Sequence, residues 1–242
     1  LKTPDMMKIW GYKKTAYCPL CKHPQCTLHH IISGCKVALN QGRYTWRHDS
    51  ILEYLGLVIR ELVDKANAKE PKKVTVSHID KNFVPAGTKP PVKRHKKIGS
   101  RGVLLREATD WKVLVDLDNK MVYPPEIFGT PQRPDIVIWS KAIRGVVNTE
   151  LTVPAEEGIE AAQTRKETRY FSLKCEAKDR GWDSQVATLE VGARGYVART
   201  VPRMLKRLGR ESKEISADMR NLSNLVARCT YGIYLARESE GW

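Results

Sequence analysis

Arg133-Pro134-Asp135-Ile136-Val137-Ile138-Trp139 and Gly145-Val146-Val147-Asn148-Thr149-Glu150-Leu151-Thr152-Val153 are the stretches on which the architecture turns. The unbroken apolar run 136–139 suits a strand covered on both faces, because a strand with one wet face alternates. In the second stretch, alternation puts Val147, Thr149, Leu151 and Val153 on one side. Val146, Asn148, Glu150 and Thr152 fall on the other. Glu150 therefore lies in the middle of a strand, where a charge needs compensation. If the two strands pair through a turn at 140–144, Asp135 at the mouth of the first approaches Glu150 on the second.

Two carboxylates at close quarters repel unless a cation sits between them, and oxygen donors of this kind suit Mg²⁺ or Mn²⁺, with the Leu151 carbonyl as a third donor. An ion so held polarises a phosphodiester and lowers the pKa of a bound water. Ordinary salt bridges for Asp135 and Glu150 are the competing reading. After Pro154 the pattern becomes helical to about residue 180, with Ile159, Ala162, Lys166, Tyr170, Leu173 and Ala177 repeating at 3 and 4. Lys166 and Tyr170 thus share the stripe that faces the sheet, and a lysine there asks for an acidic partner or an anionic substrate.

Outward from this centre, strands are expected at 111–117 and 185–191, and helices at 197–208 and 213–237. Ser50 and Glu53 have capping-box spacing, and Ile51, Leu55, Val58, Ile59 and Leu62 line a helix to about residue 65. Periodicity fades over about 67–101, which reads as a basic insertion with a short strand at 74–76. A helical stripe is also expected at 27–39. The order of elements indicates an α/β domain behind a small cysteine-rich module.

That module carries Cys18-x2-Cys21 and His30-x4-Cys35, two ligand pairs of the kind a structural Zn²⁺ requires. His30 is preferred because it and Cys35 fall on adjoining turns, with His29 and the spare thiol of Cys26 as alternatives. Six cysteines, four of them crowded together and Cys175 and Cys229 isolated, favour a reducing compartment over a disulfide framework.

Charge points to a polyanion. The 242 residues hold 42 Lys+Arg against 27 Asp+Glu, a net +15, and residues 1–100 contribute 19 basic and 7 acidic side chains. Apolar runs are too short to span a bilayer, which excludes a transmembrane protein and leaves nucleic acid as the favoured partner. Candidate phosphate contacts are Arg43, Arg47, Lys93, Arg94, Lys96 and Lys97, and Arg199, Arg203, Lys206 and Arg210, which recur at 4, 3 and 4 on one helix face. Lys13, Lys14, Lys22 and Lys36 surround the cysteine module. The chain begins at Leu1, which is read as a cut from a longer protein.

The motif PD, a gap of fourteen residues, then an acidic residue on the next strand and a helix resembles the PD-(D/E)xK nuclease superfamily, with its restriction-endonuclease-like mixed sheet flanked by helices. Thr152 stands where the usual lysine would be. One branch moves that lysine to the next helix as KxxxY, which Lys166-Glu167-Thr168-Arg169-Tyr170 matches. That branch is the C-terminal endonuclease of early-branching, site-specific non-LTR retrotransposon polyproteins, which carry a CCHC zinc knuckle just before the nuclease. Gly42-Arg43-Tyr44-Thr45-Trp46-Arg47-His48-Asp49 is similar to the segment that follows this knuckle.

The resemblance implies a knuckle over residues 1–48 and a nuclease over 49–242, with Asp135, Glu150, Lys166 and Tyr170 catalytic and Asp135 and Glu150 holding Mg²⁺ or Mn²⁺. It further implies double-stranded target DNA and element RNA as partners, a reverse transcriptase in the same polyprotein, a nuclear location, and a nick whose 3′-hydroxyl primes cDNA synthesis. A further glutamate on the first helix is common in this fold, with Glu53 and Glu61 as candidates. The rival readings are an inactive DNA- or RNA-binding module on the same fold, and a nuclease turned to host DNA repair or junction cleavage.

Overall fold

The computed structural model describes residues 1–68 and 103–242. Lys93, Arg94, Lys96 and Lys97, and the short strand expected at 74–76, lie outside the described residues.

A four-stranded mixed sheet forms the centre, in the order β1 (Lys112–Val115), β2 (Ile136–Ser140), β3 (Gly145–Thr152), β4 (Asp183–Glu190). β1 and β2 run antiparallel, as do β2 and β3, with Ile136 opposite Thr149 and Ser140 opposite Gly145. β3 and β4 run parallel, joined by the crossover helix α4 (Ile159–Asp179). The remaining helices are α1 (Pro4–Ile9), α2 (Lys36–Asn40), α3 (Arg43–Asn67), α5 (Thr200–Leu208) and α6 (Ser212–Leu235).

Each face of the sheet is covered, as the continuous burial of β2 and β3 requires. Ile136, Ile138, Val147, Leu151 and Leu189 pack against α3, α5 and α6 through Ile51, Leu55, Ile59, Leu205, Leu222 and Val226. On the opposite face Val137, Trp139 and Val146 meet Tyr170, Leu173 and Ala177 of α4. Gly56 permits the close approach of α3 to β1, since a Cβ there would stand 3.1 Å from Val115 Cγ2. No described helix is long and apolar enough to cross a membrane.

Three local expectations are corrected. The first long helix begins at Arg43 and not at Ser50, because Gly42 turns the chain with φ +73° and its carbonyl accepts the Trp46 N–H. Ser50 is consequently a mid-helix residue whose hydroxyl donates to the Trp46 carbonyl, so the Ser50–Glu53 pattern caps nothing. The stripe at 27–39 is not one α-helix: a wide turn at His30–Gly34 ends in extended backbone at Cys35 before α2 begins. The division expected after residue 48 also falls inside α3, so the cysteine module and the sheet share a helix. They share a core as well, since Cys18, Ile31, Ile32 and Ala38 pack with Ala193 and Tyr234.

Candidate functional site

The β2–β3 register carries Asp135, one residue before β2, to a position beside Glu150. The Asp135 N–H donates to Glu150 Oε1 at 3.2 Å, and the Leu151 N–H donates to Asp135 Oδ2 at 2.7 Å. The side chain of Glu150 is 1% exposed and faces α4, whose Lys166 donates from Nζ to Glu150 Oε2 at 2.5 Å. Burial and the charge of Asp135 push the Glu150 carboxyl above its ordinary pKa, with Lys166 opposing them. For Asp135, burial also favours the neutral form, but His48, Lys166 and the Leu151 N–H together hold the carboxyl below its ordinary value.

Tyr170, one turn beyond Lys166, is buried and donates to the Arg133 carbonyl at 2.9 Å. Burial and Glu150 raise its pKa well above 10, so it stays a phenol. It ties α4 to the Arg133-Pro134-Asp135 segment.

Glu53 and Glu61 do not join this pair. Glu53 is exposed, and Glu61 pairs with Lys65 and Arg210. The first helix contributes His48 and Asp49 instead. His48 Nε2 lies 3.5 Å from Asp135 Oδ2 and 3.4 Å from the Leu151 carbonyl, while Nδ1 lies 2.9 Å from Asp49 Oδ1. Burial disfavours a charge on the imidazole, yet its contacts with Asp135 and Asp49 raise the pKa to about 9. His48, Asp49 and Asp135 line an open cleft with Thr45, Asp116 and Asn119. Asp116 is buried, its backbone N–H donates to the Asp135 carbonyl at 2.8 Å, and Oδ2 lies 3.9 Å from Arg133 Nε. His48 has no spacing signal in the sequence; only its place one turn after Tyr44 on a helix that passes the sheet end marks it.

Cys18, Cys21, His30 and Cys35 form the second site, with one ligand atom from each within 4.8 Å of the others. Cys18 and Cys35 sulfurs are 3.9 Å apart, close to the roughly 3.8 Å that two thiolates on a tetrahedral zinc would show, and Cys21 Sγ is 3.2 Å from His30 Nε2. This donor set can hold a metal ion such as zinc. Burial and the neighbouring His23 and His29 keep the His30 imidazole neutral, as a ligand must be. His29 is exposed and outside the cluster. Cys26 is fully buried beside it, and burial together with the nearby thiols raises its pKa, which favours the thiol. Tyr44 ties the cluster to α3: its hydroxyl donates to the Ile31 carbonyl at 2.9 Å and accepts the Cys35 N–H at 3.1 Å.

Three expected phosphate contacts are corrected. Arg43 and Arg47 are 0% and 1% exposed. Arg43 donates to the carbonyls of Ala236 and Ser239, and Arg47 to Thr230 Oγ1 and the Val153 carbonyl, so both pin α3 to the end of the chain and to α6. Arg210 is only 10% exposed on its side chain and is held by Asp218, Glu61 and Glu214. Arg199, Arg203 and Lys206 are exposed, as are Lys13, Lys14, Lys22 and Lys36. No family model matches this chain, and no curated protein does.

Proposed function

We propose that this chain is a metal-dependent DNA endonuclease of the restriction-endonuclease-like type, joined to a zinc knuckle, which nicks chromosomal DNA to leave a 3′-hydroxyl primer during insertion of a non-LTR retrotransposon. The observation that supports this reading most directly is the meeting of Asp135 and Glu150 on adjacent strands with Lys166 from the crossover helix, which are the residues of the PD…E…KxxxY pattern. The mixed sheet between helices is in keeping with it.

The donor set fits a hard divalent cation: Asp135, Glu150 and the Leu151 carbonyl offer only oxygen. Such an ion, held there, would polarise the scissile phosphate and acidify an attacking water. Asp135, kept ionised by its neighbours, supplies a fixed negative charge. Lys166, 23% exposed on its side chain, is the cation at hand to steady charge growing on the phosphate. Tyr170 holds the Arg133 carbonyl and with it the approach to Asp135. Arg199, Arg203 and Lys206 offer a basic face for backbone phosphates.

The test is to treat supercoiled plasmid with the zinc-loaded protein and Mg²⁺ or Mn²⁺, then offer a DNA polymerase and labelled nucleotides. Label in the nicked circles, absent with Asp135→Asn, is expected. Nicks that no polymerase extends would remove the priming role, and DNA binding without nicks would favour the inactive binding module.

A further inference from the structure

The geometry points to His48 as a nitrogen ligand of the same cation, sharing it with Asp135 Oδ2 and the Leu151 carbonyl and biasing the site toward Mn²⁺ over Mg²⁺. This assignment rests on the nuclease reading of the cleft and names the ion that it prefers.

Three observations carry it. His48 Nε2 faces two oxygens at 3.4 and 3.5 Å. Both contacts are longer than the roughly 2.7–3.2 Å of a good N–H···O hydrogen bond, and a few tenths of an ångström wider than the about 3.0 Å between neighbouring ligands on an octahedral ion. The other ring nitrogen is spoken for: Nδ1 donates to Asp49 Oδ1 at 2.9 Å. A carboxylate that takes the far N–H of an imidazole is the usual support of a metal-binding histidine, since it sets the tautomer and aims Nε2. Finally, the cleft that His48 and Asp135 line with Asp116 and Asn119 is open, so room remains for water and a phosphate oxygen.

Glu150 Oε1 and Oε2 each already accept one hydrogen bond, from the Asp135 N–H and from Lys166, as Asp135 Oδ2 does from the Leu151 N–H, which leaves each oxygen fewer lone pairs for an ion. A further protein donor from α3 adds to that set. Imidazole is a poorer donor for Mg²⁺ than for first-row transition ions, and this gives the preference its direction. His48, its pKa raised to about 9 by the two aspartates, carries a proton on Nε2 until the ion takes that place, and the proton then passes to solvent.

The experiment uses the zinc-loaded protein with added Mn²⁺, read by electron spin-echo envelope modulation for ¹⁴N coupling and by calorimetry for affinity. Wild type is expected to show nitrogen coupling that His48→Gln and Asp135→Ala lose, with Mn²⁺ affinity reduced about tenfold or more in His48→Gln and by 10–100-fold in Asp49→Asn. Mn²⁺ bound to wild type through oxygen alone overturns the assignment without reference to any variant, as does coupling that persists in His48→Gln. Plasmid nicking is scored in the same samples. Nicking without nitrogen coupling refutes His48 and leaves the nuclease reading standing, whereas coupling without nicking upholds His48 and refutes the nuclease reading.

Discussion

Replacing Lys166 with methionine isolates the electrostatics of the carboxylate pair. Glu150 would keep the Asp135 N–H at 3.2 Å and the neighbouring Tyr170 hydroxyl but lose the ammonium at 2.5 Å, with its side chain still 1% exposed and next to a second carboxylate. A buried charge stripped of its partner destabilises by about 3–5 kcal/mol. Glu150 can escape part of that by taking up a proton. Protonating a carboxyl of unfolded pKa about 4.3 at pH 7 costs about 3.7 kcal/mol, so the loss is capped there. The cap falls by about 1.4 kcal/mol per pH unit, reaching about 1 kcal/mol at pH 5. The sign follows from a folded pKa raised above the unfolded one: the neutral form is the one the fold tolerates, and stability is lost as pH rises above about 4.3. Urea unfolding followed by far-UV circular dichroism at pH 5, 6 and 7, wild type beside Lys166→Met, measures the difference. Adding Glu150→Gln to Lys166→Met should remove its pH-dependent part. An equal loss at pH 5 and pH 7, or no recovery at pH 7 in the double variant, would refute the reasoning.

Atomic emission should find about one zinc per chain in wild type and none in Cys18→Ser, with thermal unfolding of the variant shifted down because Tyr44 links the cluster to α3. Arg203→Ala should lower the slope of log affinity for duplex DNA against log salt by about one. Arg210→Ala should leave that slope unchanged yet lower stability by about 3 kcal/mol, since it leaves the buried Asp218 without its cation and with the neutral Tyr54 hydroxyl as donor; titration in two salts and urea unfolding separate the two outcomes. Gly209→Ala should destabilise by at least about 1 kcal/mol in urea unfolding, because φ is +105° and a Cβ would stand 2.7 Å from Val103 Cγ1.

β2, β3 and their mutual pairing were legible because the β2 run 136–139 is apolar throughout and β3 alternates, so the register that brings Asp135 to Glu150 follows from the short turn between them. The seam on α4 was legible for the same reason, Lys166 being the lone charge on a stripe that packs. The start of α3 was hidden. Its first turns bury Arg43, which donates to carbonyls nearly two hundred positions away, and Arg47, which donates to the Thr230 hydroxyl and the Val153 carbonyl, and an apolar stripe does not register arginines. The same blindness concealed His48, because its partners Asp135 and Leu151 are about ninety and a hundred residues distant and no local spacing brings them together. Arg210 deceived in the opposite sense, since helical spacing put it on a basic stripe while Asp218 and Glu61 had already neutralised it.

The most direct measurement is the initial rate of supercoiled-plasmid nicking at pH 7 with Mg²⁺ and with Mn²⁺, for wild type, Asp135→Asn and Glu150→Gln, each first shown to melt like wild type. Carboxylates that hold a catalytic cation predict nicking by wild type and a loss of at least about a hundredfold in both variants. Nicking that survives either substitution, or that is absent from folded wild type with both ions, would contradict the assignment of this site.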